Sequence, residues 1–483
     1  MFHFNLDLVA LTMSTPNLQV MQLQSLRTPL RYLYLALSIP VLISCNGESI
    51  DENLASLESI QLPQAIESPM DAVGELPYPQ IPEKSYTIEL DRWDIPNDRR
   101  DADKTTENLQ KAIDWAVDEG YGRIHLPKGH YLVGRYGNDI YQAGIALRSN
   151  MAFLLDKEVV IEMVPNDKWN YCVLEVTAKE RVVISGGTIL GDRDNHTYTP
   201  RPGDGYTNHD EGHLVCIQNE SAHVTVENVK LTRANGDGIL LVGQKGKGSS
   251  VKHIVIKNNE IVGNRRQGIS VVGGEDVLIQ NNEIHHTSGT SPQFGIDIES
   301  RIYKSSDVRI MSNYFHNNRG GDLVNVDGTK VVFDGNILEQ GEGSEYIDGP
   351  IVYRKNADMT IRRNTITMRT MSVNNWNGII MYSNDKPKKT SAMTYIYENT
   401  CNNCGFYMYK GADLEVRDNT FNNGHLAFYK MDNLTLENNN VIQSSACKAY
   451  SFNQVTGSAN GNLFNDESYS IPLSQDSPLK SCW

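Results

Sequence analysis

Residues 254–300 read IVIKNNEIVGNRRQGISVVGGEDVLIQNNEIHHTSGTSPQFGIDIES, and one phrase occurs in them twice. Ile254-Val-Ile256-Lys-Asn-Asn259-Glu-Ile261 returns as Val277-Leu-Ile279-Gln-Asn-Asn282-Glu-Ile284, an apolar-x-apolar-x-x-Asn-x-apolar unit. Self-similarity at a period of a few tens of residues marks stacked repeats, not a closed domain. The register continues to Asn313, Asn336, Asn364, Asn399, Asn419 and Asn439 at spacings of 20 to 35 residues. That is one coil of a parallel β-helix plus loops of variable length. Gly187 and Val229 hold the equivalent place in earlier copies, so the asparagine ladder starts after them. A stacked asparagine offers a donor and an acceptor to turn backbone groups that an apolar residue would leave unpaired.

A second strand class follows each asparagine by roughly ten residues. It is marked by Gly212, Gly238, Gly268, Gly295, Gly378 and Gly405, with alternating apolar residues facing in and others, Asp297 and Asn325 among them, facing out. The fold expected is therefore all-β: a single right-handed parallel β-helix with an N-terminal capping helix. Asp103, Thr105 and Thr106 are candidates to open that helix, whose apolar face is Leu109, Ala112, Ile113, Ala116 and Val117; Gly120 or Gly122 ends it. The strand from Arg123 follows, a helix and strand of the kind that cover the open end of a solenoid against edge pairing.

Ahead of the cap, Arg27 and Arg31 precede an apolar run, Leu33 to Ile43, which leads into Ser44-Cys45. A small residue before cysteine resembles a bacterial lipobox. Residues 1–44 are then a signal peptide of the lipoprotein type, Cys45 the lipidated first residue, 45–90 a Pro-rich tether and 91–483 the catalytic β-helix. The expected location is periplasmic or outer-membrane surface, anchored through Cys45. Such a protein is free to oxidise its cysteines. Cys401 and Cys404 read as a buried or locally bridged pair, since no second pair at zinc-finger spacing follows, and Cys447 and Cys482 as a pin for the C-terminal tail. With 44 Lys and Arg against 59 Asp and Glu, the net charge of −15 argues against a nucleic-acid partner. A monomer is expected.

The ionisable residues crowd into 191–300. Arg193, Tyr198, Tyr206, His209 and His213 come from one coil; Asp237, Lys245 and Lys247 from the next; Arg265, Arg266, Asp297 and Glu299 from those that follow. Stacking brings them onto one face, where loops inserted at 192–210, 287–293 and 340–348 also gather, as in solenoid binding faces. A groove across coils suits a polymer. β-Elimination from a uronic acid needs a neutraliser for the carboxylate, a base for the C5 proton and an acid for the departing O4. Arg265 and Arg266 supply guanidinium forks, and Tyr198, Tyr206, His209, His213, Lys245 and Lys247 proton carriers. Hydrolysis would recruit the carboxylates Asp237, Asp297 and Glu299 instead. No cofactor is required; Asp192, Asp194, Asp210 and Glu211 form a weak candidate Ca²⁺ set.

Gly191-Asp-Arg-Asp-Asn-His-Thr-Tyr198, His209-Asp-Glu-Gly-His213, Gly236-Asp-Gly-Ile239, Asn264-Arg-Arg-Gln-Gly-Ile269 and Gly295-Ile-Asp-Ile-Glu299 resemble right-handed β-helix polysaccharide lyases of the alginate-lyase type. Polysaccharide lyase family 31 is the nearest match. The resemblance covers residues 100–450 and is most specific over 185–300. It implies β-eliminative cleavage of an acidic polysaccharide, alginate first. A tyrosine (Tyr198 or Tyr206) and a lysine (Lys245 or Lys247) would move the protons, with Arg193, His213, Asp237, Arg265, Arg266, Asp297 and Glu299 binding substrate. Mannuronan epimerases are the neighbouring alternative, but their Tyr-Gly-Phe-Asp-Pro-His strand would align with Phe294-Gly-Ile-Asp-Ile-Glu299, which lacks the tyrosine and histidine. A glycoside hydrolase and a non-catalytic polysaccharide-binding surface protein are the other readings of the same groove.

Overall fold

The computed structural model of the protein describes residues 76–468 and residue 473, except 135–142, 201–204, 206–207, 245–247, 301–302, 342–345, 347–348, 355–357, 370–377, 383–392 and 444–449. The leader, Cys45, Cys447 and Cys482 lie outside the described residues, as do Tyr206, Lys245 and Lys247. No helix among the described residues is long and apolar enough to cross a membrane.

The coils between residues 143 and 402 contribute three strands each, and from Gly405 onward the first two run on as one long strand, as in Gly405–Arg417. Ile239–Val242, Val251–Lys257 and Glu260–Val262 make one coil; Ile269–Val272, Gly274–Gln280 and Glu283–His285 the next; Phe294–Ile298, Ser306–Met311 and Tyr314–His316 the one after. Strands pair in parallel with their counterparts one coil on, Ile239↔Ile269↔Ile296 and Ile261↔Ile284↔Phe315 for example, up to the terminal Leu463–Phe464 and Glu467–Ser468, which pair antiparallel. The chain is thus a parallel β-helix of right-handed connection. Its interior is a continuous stack of buried Ile, Val, Leu and Phe.

The asparagine ladder runs as the repeat predicts and reaches one step further, to Asn462. Asn313 shows the geometry. Its Nδ2 donates to Asn336 Oδ1 at 3.0 Å and to Ile279 O at 3.0 Å, and its Oδ1 accepts from Asn282 N at 2.9 Å and Asn282 Nδ2 at 3.0 Å. At the start of the ladder, Asn259 Oδ1 accepts from Val229 N at 2.9 Å.

The glycine column holds with one exception. Gly238, Gly268 and Gly295 are in register because backbone passes close by: a Cβ on Gly238 would stand 2.7 Å from Gly268 O, and one on Gly268 2.5 Å from Gly295 O. Gly212 is offset by two residues; Val215 pairs with Ile239, so Leu214 occupies its place. Asn325 pairs with Ile298, a core position, and points inward, its amide bonded to both backbone groups of Gly328 (2.8 and 3.2 Å). Val324 is the residue that follows Asp297 on the outer face.

The N-terminal cap is the helix Ala102–Asp118, with Leu109, Ala112, Ile113 and Ala116 buried against the first coil. Asp101, not Asp103, Thr105 or Thr106, caps it, accepting from Lys104 N at 3.3 Å. Thr105 and Thr106 are buried one turn inside, and Thr106 Oγ1 instead accepts from Gly134 N at 2.7 Å. The folded body starts within the expected tether: Ser85–Thr87 pairs with Arg123–His125.

Candidate functional site

Asp192 follows the strand Thr188–Leu190 and is buried. Its Oδ1 accepts from the Tyr171 hydroxyl, its Oδ2 from Asn166 N (3.2 Å) and Nδ2 (2.9 Å), and His196 Nδ1 lies 2.7 Å from Oδ2. His196 Nε2 in turn meets His209 Nδ1 at 2.8 Å, and His209 Nε2 meets the Thr199 carbonyl. Since a carbonyl only accepts, His209 Nε2 carries hydrogen, which leaves Nδ1 of a neutral His209 to accept from His196 Nε2. Both imidazoles are buried with both nitrogens engaged. His209, a candidate proton carrier in the sequence, is buried at the base of the loop with both ring nitrogens engaged.

What that loop presents is Tyr198. Its ring packs 4.7 Å from His196 and 5.8 Å from His209, and its hydroxyl donates to Asn235 Oδ1 at 2.9 Å. Asn235 closes the frame by donating to His209 O. The Arg265 guanidinium lies 4.5 Å over the Tyr198 ring and donates to Asn208 O. Partial burial raises the Tyr198 phenol above its usual value, against the opposing pull of Arg265, so it is protonated at neutral pH. Among the described residues no carboxylate lies within ion-pair distance of Arg265. Arg193, also beneath this loop, donates to Gly263 O, and burial lowers its pKa.

Arg266 faces a different set. Its Nη1 bonds Asp237 Oδ1 and Oδ2 at 3.2 and 3.0 Å, and its Nε is 3.9 Å from Asp210. Asp237 also accepts from Ser270 Oγ at 2.8 Å. His213 Nδ1 is 3.4 Å from Asp237 Oδ2 yet accepts from Asp237 N at 3.0 Å. Burial lowers the His213 pKa, so the neutral ring with the backbone bond is the better description than an ion pair. Arg266 is therefore committed to Asp237, and of the two arginines only Arg265 has its charge open to a ligand.

Asp297 stands one coil above Ser270 and one below Val324 on the outer face. It is 3% exposed. Gln267 Nε2 donates to its Oδ2 at 2.7 Å, while Oδ1 has no hydrogen-bond partner among the described residues. Desolvation first, then the nearby Glu299 carboxylate, push its pKa up to about 7 in spite of Arg266. Asp237, held by Arg266 and Ser270, and Asp297, held by neither, are carboxyl groups in opposed environments.

The four acids of the expected Ca²⁺ set do not converge on one point. Asp192 has both oxygens occupied, Asp194 is exposed and sits 3.4 Å from Arg233, Asp210 neighbours Arg266, and Glu211 opens the strand Glu211–Gln218. Tyr171, Asn235, Gln267 and Ser270 are members of the site that sequence reasoning missed. Ser270 was legible: aligning Gly268-Ile-Ser with Gly295-Ile-Asp puts it under Asp297. Tyr171 and Asn235 carry no sequence signal.

A model of the right-handed beta helix region matches residues 206–366. Two Bacillus subtilis proteins are similar: uncharacterized protein YclG, 28% identical over 367 residues, which is 66% of this chain and 60% of that one, and SPbeta prophage-derived uncharacterized protein YorA, 27% identical over 300 residues, 58% and 49%. The chain thus spans well under two thirds of these relatives' length. Among solved structures, the A-module of the Azotobacter vinelandii mannuronan C-5 epimerase AlgE6 superposes with TM-score 0.57 at 14% identity, covering 80% of this chain and 100% of that module. The Streptococcus pneumoniae surface adhesin PfbA gives 0.53 at 16%, covering 76% and 93%. At such identities the likeness is one of fold, and the fold is the right-handed parallel β-helix.

Proposed function

We propose that the protein acts on an acidic polysaccharide laid across the coils of residues 191–300 and cleaves it by β-elimination, with alginate the first substrate to try. The observation that carries this reading is the pairing of a protonated, partly exposed Tyr198 with Arg265, a guanidinium stacked on its ring and bound to no described carboxylate. A uronate carboxylate on Arg265 would lose the charge that opposes loss of its C5 proton. Tyr198, beside it, would protonate the departing O4, and Lys245 or Lys247 would take the C5 proton. Asn235 and the His196–His209 pair hold the phenol in place. The epimerase and adhesin folds are compatible with a sugar polymer on this face but do not choose the reaction.

A second reading, hydrolysis, has one observation in its favour: Asp237, bonded to Arg266, and Asp297, whose pKa burial pushes up to about 7, would divide base and acid roles between two carboxyls. Incubation with alginate and other polyuronates separates the cases. Near-ultraviolet absorbance from unsaturated uronate ends supports elimination. New reducing ends without that band mean hydrolysis, and C5 proton exchange without shortening means epimerisation. Binding with no change in the polymer would leave a sugar-binding protein and overturn the proposal.

A further inference from the structure

On the short-strand face, away from the residues assigned above, three histidines meet. The strands Glu283–His285 and Tyr314–His316 pair in parallel with His285↔His316 in register. Their rings stack at 4.4 Å with an interplanar angle of 18°. His286, at a left-handed turn position with φ of 56°, sets its ring edge-on to both, 4.9 Å from His285 and 5.4 Å from His316. One ring nitrogen from each of the three lies within 4.8 Å of the others.

The outer side of the two stacked rings is carboxylate. His316 Nε2 lies 3.0 Å from Glu283 Oε1, whereas His285 Nε2, 3.7 Å from Glu260 Oε1, is in ion-pair range of a carboxylate but has no hydrogen-bond partner among the described residues. On the inner side, His285 Nδ1 meets His286 Nδ1 at 2.7 Å. A carboxylate on the far nitrogen of a histidine is the arrangement that fixes ring orientation and strengthens the near nitrogen as a ligand. The Asn317 amide, 3.3 Å from both His286 Nε2 and His316 Nδ1, lies against the cluster, and its Oδ1 is buried with no hydrogen-bond partner among the described residues.

We propose that His285, His286 and His316 bind one divalent transition-metal ion of the zinc class, clamping two successive coils. Three neutral imidazoles favour such an ion over Ca²⁺ or Mg²⁺, which require several hard oxygens. The site is joined to the other face by a short path: Gly263 N donates to His285 O at 3.0 Å, and Arg193 donates to Gly263 O. The ion is thus a brace for the coil that carries Arg193, and it takes no part in the sugar chemistry.

The test uses tag-free full-length protein, stripped with a chelator, and titrated with Zn²⁺ by calorimetry, with elemental analysis after dialysis. One equivalent per chain is expected, together with a Zn²⁺-dependent rise in melting temperature that Ca²⁺ does not reproduce. His286→Asn keeps a side chain that tolerates the left-handed turn, and His316→Gln is the second variant. Each should weaken binding by more than about 100-fold while keeping the circular dichroism of the parent. Failure of the parent to take up Zn²⁺, or full affinity in both variants, would overturn the proposal. Neither result bears on whether the chain cleaves polyuronates.

Discussion

Replacing Asp297 by asparagine should stabilise the protein, and by an amount that depends on pH. The amide keeps an oxygen to accept from Gln267 Nε2, so the change removes mainly the ionisation. In the native state the Asp297 carboxyl titrates near 7, raised from 3.8 by burial and by Glu299. Below the lower value both native and unfolded chains hold the proton and no difference arises. As pH rises between the two values the unfolded chain releases its proton while the native one retains it, so stability is lost progressively, and the loss is complete above the native value. At ~1.4 kcal/mol per pKa unit the full cost is ~4 kcal/mol above neutrality but only ~1.5 kcal/mol near pH 5. The asparagine variant avoids both. An Nδ2 group where Oδ1 now lacks a partner would lessen the gain equally at either pH, so the pH difference, ~2.5 kcal/mol, is the quantity to read. With an unfolding entropy of ~0.8 kcal/mol/K for a body of this size, it corresponds to ~3 °C in the gap between variant and parent melting temperatures. Scanning calorimetry of both proteins near pH 5 and near pH 8 measures it. An identical gap at the two pH values would refute the claim that Asp297 is held neutral.

Other substitutions separate support from chemistry. Tyr198→Phe should lower the proposed eliminase rate by about 10²-fold or more and cost about 1–3 kcal/mol of stability, since proton donation is lost and buried Asn235 Oδ1 loses its donor while the ring contacts stay; steady-state rates on the active polyuronate, beside chemical denaturation, decide it. Arg265→Ala should raise KM or abolish turnover at a stability cost under about 1 kcal/mol, as a partly exposed side chain. Arg266→Ala should instead cost about 3–5 kcal/mol, because it strands the buried Asp237, and chemical denaturation distinguishes the two arginines. Asn313→Ala, which leaves buried Asn282 donors without their acceptor, should cost about 3 kcal/mol by the same measurement.

The repeat was legible in sequence because stacking imposes equality: whatever follows an asparagine by a given number of residues lands above its counterpart. Asn259, Asn282 and their successors therefore gave coil, register and core. The same rule places His285 and His316, each three residues past its asparagine, in one column. The site was legible only as a neighbourhood. Nothing in the order Arg265-Arg266 says that one side chain turns to Tyr198 and the other to Asp237, because that choice depends on where the 192–210 loop folds back. His209 resembled a proton carrier for the same reason; its burial comes from a contact with His196 that spacing does not encode. Gly212 failed as a column member because the long loop before it shifts the strand start by two residues.

The ladder begins only at Asn259, so the coils carrying Asp192, Tyr198 and His213 are built without it. They have a different fastener. Cys172 in the strand Asn170–Thr177 is bonded to Cys216 in the strand Glu211–Gln218, across 44 residues of chain. Closing a loop of that length removes enough freedom from the unfolded chain to contribute about 4 kcal/mol. The solenoid is thus zipped in two materials, hydrogen-bonded amides in its C-terminal half and a covalent stitch beneath the loop that presents Tyr198. A reductant acts on the covalent stitch; the other bridge it would open among the described residues, Cys401–Cys404, spans three residues within one coil and fastens no two coils together. Under reducing conditions hydrogen exchange should quicken around residues 170–218 while the stack from Asn282 onward stays protected, which would make the oxidation state of its surroundings a condition for a formed sugar-binding face.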